Sequence, residues 1–125
     1  MVTWFAVALG GALGSMARHG VNVLVARRLM GPGPLSTAIV NVVGCAIIGV
    51  LAGLIASGHL RLSQAARTFV FVGVLGGFTT FSSFGLDTFT LVQEGRQMQA
   101  AANVLVQVVV GVAAVFGGFA IGSWK

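Results

Sequence analysis

The sequence predicts an all-α integral membrane protein of four transmembrane helices, and three observations carry that expectation. Of its 125 residues 57% are hydrophobic and 7% charged, with a mean hydropathy of +1.01. A soluble domain of this size draws about a quarter of its residues from the charged set. The apolar residues fall into four runs, at about 4–25, 36–57, 68–92 and 98–123, each near the ~20 residues that cross a ~30 Å hydrocarbon core. None alternates as a barrel strand does, so closed backbone hydrogen bonding in lipid makes each run a helix. The chain reads as a single four-helix transmembrane domain over residues 1–125.

The first run has no basic leader, its first positive side chain being Arg18, so it is read as a spanning helix and not as a cleaved signal. Arg18 is the basic residue that falls well inside a run; it either snorkels to the interface or holds an anion vestibule. In the second run Asn41 stands among Ile39, Val40, Val42 and Val43. Its amide donors need partners, which helix-to-helix bonding or pore lining would supply equally well. Cys45 is the single cysteine, so no disulfide framework or metal cluster is expected and a packing role suffices. His19 and His59 have no carboxylate or cysteine at ligand spacing and are read as interfacial.

The third run holds GGFTTFSSFGLD at residues 76–87, a polar, breakable centre in a segment made for lipid. Gly76 and Gly77 invite an interruption, and non-helical backbone at membrane depth survives only when buried in protein or lining a cavity. The first half-helix would end in carbonyls that suit a cation. The second, capped by Thr79 or Thr80, would begin in N–H groups that favour an anion. Broken helices of this kind mark ion sites in transporters. Phe81 and Phe84 share one face of the second half, and Thr80, Ser83 and Asp87 share its neighbour. Ring edges carry the positive end of the aromatic quadrupole, so rings and hydroxyls together would face an anion. Alternatively the rings pack and the hydroxyls bond one turn back. In the fourth run Asn103 and Gln107 are four apart and either line the same path or staple helices together.

Net charge +5 and a pI near 11.7 would suggest nucleic acid for a soluble chain; here the charges mark membrane interfaces and no nucleic-acid partner is expected. Arg61, Arg67 and Lys125 lie on one side, Arg27, Arg28 and Arg96 on the other. That balance gives no bias for a single orientation, so an antiparallel, dual-topology dimer is expected, the alternative being a single topology set by one dominant loop. The pairs Gly10/Gly14, Gly49/Gly53, Gly73/Gly77 and Gly118/Gly122 have the small-xxx-small spacing of close helix packing. In such a dimer two helix breaks would meet at the twofold axis, where carbonyl oxygens suit a hard cation such as Na+.

GGALGSMARHG, STAIVNVVGCAIIG and above all GVLGGFTTFSSFGLD resemble the Fluc (CrcB) family of small bacterial fluoride channels over essentially the whole chain. The resemblance implies dual-topology homodimers in the bacterial inner membrane, with two fluoride pores built from both chains. It implies that Phe81 and Phe84 face fluoride, that Asn41 lines the pore, and that Thr80 and Ser83 supply hydroxyls beside the rings. It places a structural Na+ on the backbone carbonyls of Gly76 and Thr79 at the dimer axis, and matches Arg18 to the family's basic residue in the first helix. Gly111 falls where relatives often carry serine, leaving Asn103 and Gln107 as alternative donors, and Asp87 replaces a common glutamate. The implied function is passive fluoride export without enzymatic chemistry. The rival class, a small proton-coupled multidrug exporter, needs a carboxylate in its first helix, and residues 4–25 have none. A non-conducting assembly subunit is the second rival.

Overall fold

A computed structural model describes residues 1–29 and 33–125 of the protein, which are helical apart from short connections; the link at 30–32, part of the first loop, lies outside the described residues. The first helix is Val2–Leu29 and the second Pro34–Ala56. The third span is Gln64–Gln93 and the fourth helix Gln97–Gly122. The last three are long and apolar enough to cross a membrane. The first, at 28 residues, is about 42 Å long and so also long enough. Arg18, His19 and Asn22 make it less apolar, so of the four expected spans three are both long and apolar enough among the described residues.

Several helix ends lie outside the hydropathy limits for local reasons. The first helix runs past Val25 to take in Arg27 and Arg28, whose charges complement the negative end of the helix dipole. Pro34 opens the second helix, where its missing N–H costs nothing. The third span starts early because the Ser63 hydroxyl accepts the Ala66 N–H at 3.3 Å, and it ends at Gly95, whose φ of 75° lets the Arg96 N–H reach back to the Leu91 carbonyl at 2.9 Å.

Glycine spacing decides which helices meet. A Cβ at Gly10 would stand 2.9 Å from the Gly73 Cα, and one at Gly77 would stand 3.0 Å from the Gly11 Cα. The first helix therefore lies backbone to backbone on the front half of the third span. On the other side of the bundle a Cβ at Gly49 would strike the Val115 carbonyl and one at Gly122 the Val50 carbonyl. This joins the second helix to the end of the fourth. All eight glycines of the four spaced pairs make such contacts, whereas Gly85 and Gly117 have open space. Relieving the overlap from one added methyl at these seams costs about 1–3 kcal/mol.

Two segments widen to π-type turns, Thr68–Leu75 in the third span and Val106–Val110 in the fourth helix. The first precedes the Thr79–Thr80 interruption and the second contains Gln107, and π segments recur at functional sites.

Candidate functional site

The third span is helical through Phe78; Thr79 (φ −81°, ψ 160°) and Thr80 (φ −154°, ψ 109°) are extended, and helix resumes at Phe81. Two features hold those residues. The Thr79 hydroxyl donates to the Leu75 carbonyl at 2.9 Å, and its methyl fills the notch that Gly44 leaves on the second helix. Thr80, the cap of the second half, accepts the Ser83 N–H on its hydroxyl oxygen at 3.2 Å and donates to the Ser83 hydroxyl at 3.0 Å. The hydroxyl ladder read from the sequence is thus partly spent on the cap itself.

Asn41 closes the arrangement. The Thr80 N–H donates to Asn41 Oδ1 at 2.8 Å, and Asn41 Nδ2 donates to the Thr80 carbonyl at 3.0 Å. A side-chain amide so pairs with a single extended residue as a neighbouring strand would, satisfying both main-chain groups of Thr80. The other Nδ2 hydrogen goes to Gln107 Oε1 at 2.6 Å. Both donors of the amide are engaged by protein.

From Gln107 the bonding continues. Its Nε2 donates to Asn103 Oδ1 at 2.9 Å, Asn103 Nδ2 donates to Thr88 Oγ1 at 2.9 Å, and the Thr88 hydroxyl donates to the Phe84 carbonyl at 2.8 Å. Asn103 is buried. Thr88 is the residue missed in the sequence, although it falls on the face of Phe81 and Phe84, at seven and four residues' distance.

A cleft of about 350 Å³ opens at this point, lined by Asn41, Gly76, Thr79, Thr80, Phe81, Phe84 and Gln107 together with apolar side chains and Cys45. Ser83, Asn103 and Arg18 do not line it. The Phe81 and Phe84 ring centroids are 5.3 Å apart with the rings tilted by 52°, and Phe81 is 82% exposed in the single chain. The N–H groups of the first turn after the break are short of helical partners, giving this end of the cleft positive character. Beyond Gln107 the polar groups stop: a Cβ at Gly111 would meet the Cys45 Sγ at 3.5 Å.

Arg18 reaches the edge of the break, where a guanidinium nitrogen stands 3.5 Å from the Thr79 carbonyl, a long and weak bond. Among the described residues no backbone N–H donates to the Gly76 carbonyl, and Asp87 forms no ion pair; its Oδ2 is buried without a partner. No cluster of His, Cys, Asp and Glu that would hold a metal occurs among the described residues, so any cation here would rest on carbonyl oxygen.

Known proteins resemble the chain over nearly its full length. The family profile described as "CrcB-like protein, Camphor Resistance (CrcB)" matches residues 5–119. A relative from Paracoccus denitrificans (strain Pd 1222), named "Fluoride-specific ion channel FluC", is 50% identical over 96% of this chain and 94% of its own. Proteins of the same name from Nitrobacter winogradskyi (47% identical, 93% and 91% covered) and Agrobacterium fabrum (46% identical, 98% and 97% covered) are similar to it as well.

Proposed function

The chain belongs to the CrcB family, and from that premise we propose that it is a fluoride-selective ion channel that lets fluoride leave the cell passively across the bacterial membrane. It is a channel and not an enzyme. The observation that carries the reading is the convergence on one cleft of the extended Thr79–Thr80 pair, the Asn41 clamp and the tilted Phe81–Phe84 pair.

Fluoride is small and holds its water tightly, so a path must replace that water with fixed donors and positive edges while keeping each site weak enough to leave. In our reading the rings of Phe81 and Phe84 offer their edges, the Ser83 hydroxyl, which accepts from Thr80, and the Gln107 amide offer hydrogen bonds, and Asn41 borders the path while holding its wall. Arg18 lies at the margin and Asn103 behind Gln107. No acid lies along the first helix, Val2–Leu29, which disfavours a proton-coupled exporter.

We further propose that the pores are completed by a second, antiparallel copy. A phenylalanine ring 82% exposed beside a polar cleft calls for a partner surface, and the even basic balance favours both orientations. The two copies would set their Gly76 and Thr79 carbonyls around one Na+. The residues fit such an ion: the donors are hard oxygens, and among the described residues the Gly76 carbonyl has no backbone partner and the Thr79 carbonyl has only the long contact to Arg18. When bound, the ion would supply a fixed positive charge that neutralises the carbonyl ends of the half-helices. Single cysteines placed in the first and second loops, probed with an impermeant reagent from one side, are expected each to label about half the molecules; one loop labelling alone contradicts dual topology.

The function itself is tested by fluoride release from liposomes that hold only the purified protein. Fluoride is expected to leave and chloride to stay, and folded protein that releases neither ion sinks the proposal.

A further inference from the structure

The bonds that leave the cleft through Gln107 run in one direction. Thr88 donates to the Phe84 carbonyl, Asn103 to Thr88, Gln107 to Asn103, and Asn41 to Gln107. Both ends are fixed by main-chain groups that cannot exchange roles. The Phe84 carbonyl only accepts, while the N–H and carbonyl of Thr80 demand an acceptor and a donor in set places. A side-chain amide can turn over by 180°, and its orientation is decided by such partners. If Asn41 turned over, its oxygen would face the Thr80 carbonyl and Gln107 Oε1, and its NH2 would face the Thr80 N–H. Every link in the series opposes that state.

We propose that Gln107, Asn103 and Thr88 are positioning residues, which hold the Asn41 amide in the one orientation that clamps the Thr80 main chain and so fixes the shape of the break past which the ion moves. Asn103 and Thr88 do this without touching the ion, since neither lines the cleft. The arrangement also divides the donors: both hydrogens of Asn41 Nδ2 are committed, whereas Gln107, which lines the cleft, keeps one Nε2 hydrogen uncommitted. The inference rests on the fluoride-channel reading and adds to it the residues that set the wall.

The test replaces Thr88 with valine, which keeps the volume and removes the hydroxyl two amides away from Asn41. Two quantities are read in the full-length protein: amide hydrogen exchange at Thr80, against Ala46 in the second helix as reference, and the fluoride release rate per active liposome. Losing one interior bond is worth roughly a fivefold change in such an equilibrium, so Thr88→Val should speed exchange at Thr80 by about fivefold or more with Ala46 unchanged, and should slow release. Thr88→Ser should restore both. Thr80 protection equal to wild type in a folded Thr88→Val protein overturns the inference, as does equal acceleration at Thr80 and Ala46, which marks general loosening. If Thr88→Val does not fold, Thr88→Cys, close in size and a weak donor, is judged by the same two amides. Wild-type protein that releases no fluoride defeats the channel reading alone, because Thr80 exchange still judges the relay.

Discussion

Replacing Phe81 and Phe84 together by isoleucine is expected to lower fluoride flux by roughly ten- to a hundredfold while the protein remains folded. A quadrupole contact between two aromatic rings is worth about 0.5–1.5 kcal/mol beyond area burial; an edge-to-anion contact at each ring is taken at that scale, and isoleucine supplies apolar bulk without a quadrupole. Folding should survive because Phe81 is 82% exposed in the single chain and isoleucine keeps apolar bulk at Phe84, whose ring centroid stands 5.3 Å from that of Phe81. Initial release rates from liposomes, together with elution of the variant as a single species in detergent, measure both halves of the expectation. A double variant that conducts at the full rate would reduce the rings to packing.

Asn41→Leu is expected to act through the fold. Leucine has nearly the right volume but leaves the Thr80 N–H, the Thr80 carbonyl and Gln107 Oε1 without their partners. A buried polar group deprived of its partner costs about 1–3 kcal/mol. Partial relaxation of three such groups should leave a loss of about 2–5 kcal/mol, a large share of the stability of a small domain. Thermal unfolding in detergent should show a markedly lower midpoint, and fluoride release should vanish. A variant as stable as wild type would mean that Thr79 and Thr80 are held extended by something other than this amide, with the Thr79 methyl seated at Gly44 the first feature to test.

Much of this was legible in the residues because hydropathy and glycine spacing are local signals with direct physical meaning. Four long helices follow from four apolar runs, and the contacts at Gly10, Gly14, Gly49 and Gly53 follow from a spacing that only close backbones exploit. The interruption at Thr79 and Thr80 was legible too, since Gly76 and Gly77 followed by hydroxyl residues weaken a helix there. Helix ends were less so: hydropathy falls at Arg27 and Arg28, yet the helix continues to Leu29 because charges that leave the membrane still favour its end. The path from Asn103 to Thr88 was not readable. Periodicity gives the face that each residue occupies on its own helix, but contact between Thr88 and Asn103 depends on the register of the third span against the fourth helix. The π-type turns at Val106–Val110, which hold Gln107, also leave no mark in composition. The double use of Asn41, as clamp on Thr80 and as donor to Gln107, likewise needs three elements in place at once.

The central claim is selectivity for fluoride, and it is tested most directly by loading the same liposomes with fluoride and chloride together, adding a potassium ionophore to carry the counter-charge, and following both anions with ion-specific electrodes. Fluoride is expected to leave rapidly, with chloride retained until detergent is added. Release of both anions together, or retention of both by folded protein, would contradict it.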